Sequence, residues 1–191
     1  TNLLTEPTAT SLQPADIYII VDPDTKAETA NPHYISPGNA VAIYNWVKSG
    51  GVLLLMGNDS ANAEFTHFNQ LALKFGIRFN QDCKNHVIGN QYESGGIPIP
   101  RNNPILPHTN MIYIKDLSTL HIQSPAEAVL TKDGDVIMAV ARIGKGTVFA
   151  VGDPWIYNEY TDGRKLPARY ENFQAAMDLV QWTLRQTKKS N

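Results

Sequence analysis

The chain has 191 residues, of which 42% are hydrophobic and 18% are charged, a composition typical of one globular domain with a buried core. Its formal net charge of -2 supplies no basic surface for nucleic acid or for an anionic membrane, so neither is predicted as a partner. The apolar runs are far shorter than the roughly 20 residues of a membrane-spanning helix, and the sequence predicts no such span.

The first regular elements are predicted to form a strand–helix–strand unit. Residues 17–21 are an apolar run that ends in Asp22-Pro23-Asp24. Ser36-Pro37 then supplies a helix N-cap and a first-turn proline, and Gly50-Gly51 ends the helix. A crossover of this kind is right-handed and joins parallel strands, so residues 17–21 and 52–56 are predicted to run in the same direction.

Residues 52–56 are predicted to form the central strand. The run Val-Leu-Leu-Leu-Met is continuously apolar, which is typical of a strand buried on both faces of a parallel sheet. Gly57 ends it, and Asn58, Asp59 and Ser60 follow. Ligands of open α/β sheets bind beyond the carboxyl ends of such strands, so the candidate site is sought here.

The remaining chain adds a helix, an irregular stretch, a hairpin and a closing helix. Glycine and proline interrupt residues 80–107, which predicts an irregular insert. A turn at Asp133-Gly134 predicts an antiparallel hairpin, and residues 147–151 read as another buried strand. The closing helix carries apolar residues at helical spacing, which are predicted to face the core: Phe173, Ala176, Met177, Val180 and Leu184.

These elements predict a doubly wound α/β fold with a mostly parallel sheet and an antiparallel hairpin late in the chain. Residues 1–191 are predicted to form a single domain.

Polar and aromatic residues follow several predicted strands and are expected to meet at one edge of the sheet. They are Asp22, Asp24, Asn58, Asp59, Ser60, Asp153, Trp155, Tyr157, Asn158, Glu159 and Tyr160. One interpretation is that they cap helices and satisfy turns, because those positions demand such residue types. A second is a sugar-binding cleft with aromatic stacking. A third is an enzyme in which two carboxylates cleave a glycosidic bond.

No metal or cofactor site is predicted. Cys83 is the single cysteine, which excludes a disulfide within the chain and a multi-cysteine metal cage. Asp22-Pro23-Asp24 has no calcium-loop spacing. The histidines show no ligand pairing such as His-x-x-x-His and are predicted to be surface or hydrogen-bonded residues: His33, His67, His86, His108 and His121.

Residues 157–170 combine aromatic and basic side chains before the closing helix. The members are Tyr157, Tyr160, Arg164, Lys165, Leu166, Pro167, Arg169 and Tyr170. This composition suits an interface with another domain, and the alternative is a surface loop held by its own tyrosines.

The order of these elements, with Gly-Gly-Val-Leu-Leu-Leu-Met-Gly-Asn at its centre and Gly-Thr-Val-Phe-Ala-Val-Gly-Asp-Pro near its end, resembles the class I glutamine-amidotransferase-like, flavodoxin-like fold. It looks most like the non-catalytic branch appended to bacterial unsaturated rhamnogalacturonyl hydrolase-like proteins. The resemblance covers roughly Asp16 to Leu184. It implies that an amino-terminal strand–helix unit is missing and that the chain is a carboxyl-terminal piece of a longer protein.

Amidotransferases carry a cysteine nucleophile after the central strand and a histidine after the late strand. Here Gly57-Asn58-Asp59 and Gly152-Asp153-Pro154 stand at those positions, so glutaminase activity is not expected. The resemblance implies a non-catalytic accessory domain of a bacterial polysaccharide-degrading protein, periplasmic or secreted, partnered by an upstream domain and contacting acidic oligosaccharide. The alternative is an independent carbohydrate-active hydrolase that uses the strand-end carboxylates.

Overall fold

A computed structural model describes residues 6–154, 160–162 and 164–189 of the chain. The helices are α1 (Ala9–Leu12), α2 (Pro37–Lys48), α3 (Phe65–Ala72) and α4 (Asn172–Lys189). The strands are β1 (Ile17–Val21), β2 (Val52–Met56), β3 (Ile77–Phe79), β4 (Gly96–Pro98), β5 (Met111–Tyr113), β6 (Leu120–Ile122), β7 (Ala126–Lys132), β8 (Asp135–Ile143) and β9 (Gly146–Val151). No described helix combines the length and the apolar character that crossing a membrane requires.

The predicted strand–helix–strand unit is confirmed, and so is the burial of β2 on both faces. Its predicted central position is wrong, because β2 is second in the strand order, beside the terminal strand β1. Ser36 caps α2 through a capping box with Asn39, and Pro37 stands in the first turn. Every residue of β2 is buried, and β2 pairs in parallel with β1 on one side and with β9 on the other. Three parallel strands therefore end at one edge of the sheet.

The predicted doubly wound, mostly parallel, flavodoxin-like sheet is wrong. The seven-stranded sheet runs β1-β2-β9-β8-β6-β3, with β7 on β8. Among the described residues only β1–β2 and β2–β9 are parallel, whereas β9–β8, β8–β7, β8–β6 and β6–β3 are antiparallel. The short turns at Asp133-Gly134 and Gly144-Lys145 can join only antiparallel strands. The sheet is mixed and strongly curled, and the pairing of β7 with β8 shifts register, as it does where a β-bulge bends a strand.

The stretch 80–107 contains short regular pieces. A 3₁₀ turn at Tyr92–Gly95 leads directly into β4. β4 pairs with β5 in a separate two-stranded sheet. Ile97 of β4 and Ile112 of β5 are fully buried, so this stretch packs against the domain rather than projecting from it.

The main sheet separates two apolar cores. Leu53 and Leu55 of β2 face the core formed with α2 and α3, while Val52, Leu54 and Met56 face the core formed with α4 and β4–β5. Alternate residues of a strand point to opposite faces, so one apolar run supplies both layers. Gly146 lets the start of β9 approach the end of α2, because a Cβ at this position would lie 1.8 Å from the Val47 carbonyl oxygen.

The predicted core face of α4 is wrong, because most of it is exposed. Phe173 is 64%, Met177 41%, Val180 42% and Leu184 48% exposed. The buried face of α4 instead comprises Ala175, Asp178, Leu179, Trp182, Thr183 and Gln186. Both faces of the helix carry apolar residues, and packing selects the one that contains Trp182.

The exposed part of α4 continues into an apolar groove beside β1. Ile19 and Val21 are 49% and 51% exposed and line this groove together with Val180 and Leu184. The groove encloses about 410 Å³. We call it the β1–α4 groove.

Asp178 fixes α4 to the segment before β5. Its carboxylate accepts hydrogen bonds from the His108 backbone N–H at 2.9 Å, the Thr109 hydroxyl at 3.1 Å and the Gln174 amide at 3.0 Å, and it lies 2.8 Å from His108 Nδ1. Burial alone would raise the pKa of Asp178. The hydrogen bonds from His108, Gln174 and Thr109 together outweigh burial and hold the pKa below its ordinary value.

Asp178→Asn is expected to lower the free energy of unfolding at pH 7 by about 1–3 kcal/mol, because it removes a buried, hydrogen-bonded charge. A depressed folded-state pKa stabilises the protein above the ordinary aspartate pKa of about 3.9, and this contribution is lost as the pH falls through the folded value. The variant should therefore lose less stability than the parent on acidification below about pH 5. Urea unfolding at several pH values measures both effects.

The matched control is Asp133→Asn, which replaces an exposed carboxylate in a turn with a residue that also tolerates its positive φ of 53°. It should keep the parent's stability and its pH dependence. An Asp178→Asn variant with the parent's acid sensitivity would contradict the argument.

Candidate functional site

The carboxyl ends of β1 and β2 bring Asp22 and Asn58 together. Asn58 Nδ2 donates to Asp22 Oδ2 at 3.1 Å, and the Asp22 backbone N–H donates to the Met56 carbonyl at 2.9 Å. Asp22 has a positive φ of 46°, in the left-handed region that aspartate tolerates better than most residues. The parallel pairing of the two strands therefore creates a polar corner at the predicted edge.

Asp22 is a carboxylate at this edge with a perturbed environment. Its Oδ1 is buried and has no hydrogen-bond partner among the described residues. Burial raises the pKa of Asp22 above its ordinary value, and the negative charges of Glu28, Asp24 and Asp59 add to that shift against the lowering effect of Asn58. A carboxyl of this kind is suited to donating a proton, but glycoside hydrolysis requires a second carboxylate opposite it.

Asp59 is committed to the turn before α3. It is 5% exposed; its Oδ1 accepts the Ala61 backbone N–H at 2.8 Å and its Oδ2 accepts Asn62 Nδ2 at 2.6 Å. The Ala63 N–H donates to the Asp59 carbonyl at 3.0 Å. These bonds match the cap interpretation of the sequence, in which short polar side chains satisfy turns.

The other predicted site residues separate into three groups. Asp153 follows β9 but is fully buried, beside a Gly152 carbonyl that accepts the Ser118 N–H at 3.2 Å. Asp24 and Ser60 are exposed at the strand ends. Trp155, Tyr157, Asn158 and Glu159 lie outside the described residues.

Tyr160 belongs to a tyrosine cluster that is separate from the strand-end carboxylates. Its ring centroid lies 5.3 Å from that of Tyr113, which also contacts the rings of Tyr92 at 5.8 Å and Tyr170 at 5.5 Å. Burial raises the pKa of Tyr113, so this phenol stays protonated. Leu166 and Tyr170 are buried in the same cluster, so part of segment 157–170 packs onto its own domain.

A cleft of about 370 Å³ opens beside this cluster. Tyrosine rings and basic side chains line it together, namely Tyr92, Tyr113, Lys115, Tyr160, Arg164 and Lys165, along with Val87, Gly89 and Asn90. We call it the tyrosine cleft. Arg164 donates to Asp162 from its backbone at 2.9 Å and from Nε at 2.6 Å, which orients its guanidinium. The combination of aromatic faces and cations suits a polar, anionic ligand.

A neighbouring cavity of about 360 Å³ contains a cluster of three possible metal ligands. His86 Nδ1 lies 2.7 Å from Asp116 Oδ1, and Cys83 Sγ lies 3.8 Å from the same oxygen. Burial and then the carboxylates of Asp59, Asp116 and Asp82 raise the pKa of the Cys83 thiol to about 11. The thiol alone is therefore a poor nucleophile. The Cys-x-x-His spacing of residues 83–86 is the sequence signal that could have found this cluster.

Comparisons with known proteins identify the fold. No protein-family model matches the sequence, and no curated protein matches it either. The N-terminal domain of mmIFT52 is 19% identical, with a TM-score of 0.71, over 94% of this chain and 82% of that one. Cytoplasmic protein STM1381 from Salmonella typhimurium LT2 is 16% identical, with a TM-score of 0.62, over 94% and 76%.

A glycosidase contains the same fold as one part of a longer chain. The beta-galactosidase from Rahnella sp. R3 is 16% identical, with a TM-score of 0.57, over 93% of this chain and 23% of that one. At these identities the likeness concerns the fold alone.

Asp59→Ala is expected to lower the free energy of unfolding by about 1–3 kcal/mol, the usual cost of leaving buried hydrogen-bond donors without a partner. The reason is the loss of the bonds to the Ala61 N–H and the Asn62 amide. Chemical denaturation measures the effect. Ser60→Ala, an adjacent exposed position, should change stability by less than about 0.5 kcal/mol. Equal effects of the two substitutions would contradict the cap assignment.

Proposed function

We propose that this chain is a non-catalytic accessory domain of a polysaccharide-degrading protein and that it binds acidic oligosaccharide in the tyrosine cleft. The observation that carries the proposal is the lining of that cleft, where Tyr92 and Tyr160 lie beside Lys115, Arg164 and Lys165. Tyrosines offer an apolar ring face and a polar hydroxyl to a sugar, and the cations complement a carboxylate.

The size of the cleft also fits this ligand. Its volume of about 370 Å³ lies at the lower end of the range for small-molecule sites and suits one or two sugar residues rather than a folded partner. Lys115 is 26% exposed, whereas Arg164 is 84% exposed, so the cations lie at different depths. Cations at two depths would pair with successive acidic groups of an oligosaccharide that enters the cleft end-on.

The strand-end carboxylates support an accessory role rather than the hydrolase alternative. A glycosidase needs two carboxyl groups that flank the scissile bond and reach it. Asp59 and Asp153 are 5% and 0% exposed, and Asp59 is held by its own turn. Among the described residues, the ends of β2 and β9 therefore offer Asp22 no accessible second carboxylate.

The domain context supports the same proposal. The fold occurs as about a quarter of a beta-galactosidase chain, 23% of its length, so it serves there as one component of a larger carbohydrate-active protein. The acidic character of the proposed oligosaccharide rests on the cations that line the tyrosine cleft, Lys115, Arg164 and Lys165. A periplasmic or secreted location follows as part of this hypothesis.

Titration of the purified chain with oligogalacturonides tests the proposal. We expect saturable binding by calorimetry, with no new reducing ends after prolonged incubation. Arg164→Ala combined with Lys165→Ala should weaken binding several-fold, since each exposed charge pair contributes less than about 1 kcal/mol. Arg101→Ala is the matched control, because Arg101 is exposed outside the cleft.

Methyl-esterified oligogalacturonides supply the matched ligand control. They keep the sugar rings but lack the carboxylate charge, so they should bind more weakly and with less dependence on salt. Release of reducing ends would favour the hydrolase instead. No binding of either ligand at millimolar concentration would overturn carbohydrate contact.

We further propose that an upstream domain of the same protein covers the β1–α4 groove. β1 is the terminal strand of the main sheet, so its outer edge has no strand partner among the described residues. Ile19 and Leu184 are about half exposed within an almost entirely apolar lining. An apolar face beside an open strand edge favours a folded protein partner over a soluble ligand.

Ile19→Lys combined with Leu184→Lys is expected to reduce self-association and binding of a hydrophobic dye by the isolated chain, because charges interrupt the exposed apolar face. Light scattering and dye fluorescence measure these changes. Ile88→Lys is the matched control, since Ile88 is 66% exposed outside the groove. A parent chain that is a salt-insensitive, dye-free monomer would contradict an open docking face. A discrete, stable dimer would assign the face to a second copy.

A further inference from the structure

We propose that Cys83, His86 and Asp116 form a zinc-binding site. The three side chains come from two loops, and their donor atoms lie within 4.8 Å of one another. This site is independent of the proposed carbohydrate contact and shares none of its three ligands with the tyrosine cleft.

The donor geometry is close to what a tetrahedral ion requires. Zinc binds thiolate sulfur at about 2.3 Å and imidazole or carboxylate atoms at about 2.0–2.2 Å, which places donor atoms about 3.3–3.6 Å apart. Here the distance from Asp116 Oδ1 is 2.7 Å to His86 Nδ1 and 3.8 Å to Cys83 Sγ. These two separations differ from the tetrahedral values by roughly 0.3–0.7 Å, and all three donor atoms lie within 4.8 Å of one another. Rotation of the exposed Cys83 and His86 side chains would bring the donors to bonding positions.

Backbone pairing holds the two loops in register. The Lys84 N–H donates to the Leu117 carbonyl at 2.8 Å, and the Leu117 N–H donates to the Lys84 carbonyl at 3.1 Å. Asn85 Nδ2 adds a bond to the Ile114 carbonyl at 3.0 Å. A residue beside each of the three ligands is therefore held by hydrogen bonds, so an ion would meet two loops already in register, and only the ligand side chains would need to rotate.

The donor set selects the kind of ion. Thiolate sulfur with imidazole nitrogen favours zinc over magnesium or calcium, which prefer oxygen ligands throughout. Asp59 and Asp82 place further negative charge near the sulfur without serving as ligands, because each already accepts hydrogen bonds in its own turn or from Thr119. Lys115 lies 3.4 Å from Asp116 Oδ2, which leaves Oδ1 directed at the cluster.

Three protein ligands leave a fourth coordination position for water. The cluster lines a cavity of about 360 Å³ whose wall also includes Asn58 and Asn62. His86 is 69% exposed at its side chain, so an ion can enter from solvent. Binding releases the thiol proton to water as the Cys83 sulfur–zinc bond forms.

Cobalt substitution and zinc competition test the site in the purified chain. We expect one equivalent of Co²⁺ to bind with a thiolate-to-metal absorption band in the near ultraviolet, and Zn²⁺ to displace it. Cys83→Ser should abolish that band, and His86→Ala or Asp116→Asn should weaken binding at least about tenfold, since even outer-shell changes cost this much. Asn tolerates the positive φ of 49° at position 116, which preserves the loop.

His108→Ala is the matched control, because His108 forms the same kind of histidine–aspartate pair, at 2.8 Å from Asp178, in a place with no cysteine. It should bind Co²⁺ as the parent does. Absence of the band in the parent chain, or a band that persists in Cys83→Ser, would overturn the proposal. His86 and Cys83 are exposed, so circular dichroism should show the parent fold in Cys83→Ser and in His86→Ala. If one of these variants does not fold, the other carries the test.

Discussion

The burial of β2 on both faces is the constraint on which the rest of the structure depends. Its five residues are buried, and the strand pairs in parallel with β1 and β9 along its whole length. Alternate side chains supply the core below α2 and α3 and the core below α4. A strand surrounded in this way cannot carry polar groups, so the polar residues of the unit are displaced to the edge where the three strands end.

The turns at that edge bring carboxylates together and also occupy them as hydrogen-bond acceptors. A chain leaving a buried strand has unpaired N–H groups, and short side chains such as Asp59 satisfy them. Asp22 occupies a left-handed corner, and Asp153 is fully buried. The cavities that could take a ligand lie instead on the connections between β3 and β6 and on the segment before α4, which present tyrosines, cations and a thiol to solvent.

Local signals predicted the elements, and long-range pairing decided the sheet. The Ser36 cap and the Asp133-Gly134 turn were readable because each depends on neighbours in sequence. The pairing of β3 with β6 joins residues more than 40 positions apart and leaves no local pattern, so the sheet was predicted as parallel when most of it is antiparallel. The orientation of α4 failed for a related reason: two apolar faces compete, and only the tertiary position of Trp182 shows which one is buried. Likewise, Asp116 meets Cys83 and His86 through contacts between two loops about 30 residues apart, among them the pairing of Lys84 with Leu117, which leave no local pattern in the sequence.

The exposed features occupy separate parts of the molecule and share no lining residues except one. The β1–α4 groove is built from β1, β2 and α4, whereas the tyrosine cleft and the Cys83 cavity are built from loops and have Lys115 in common. A partner docked on the groove would therefore leave the loops open to ligand. Lys115 lies 3.4 Å from Asp116 Oδ2, so the one residue common to the two cavities is already paired with a carboxylate between them. Apart from this pair, the proposed anion and metal sites each rest on their own side chains.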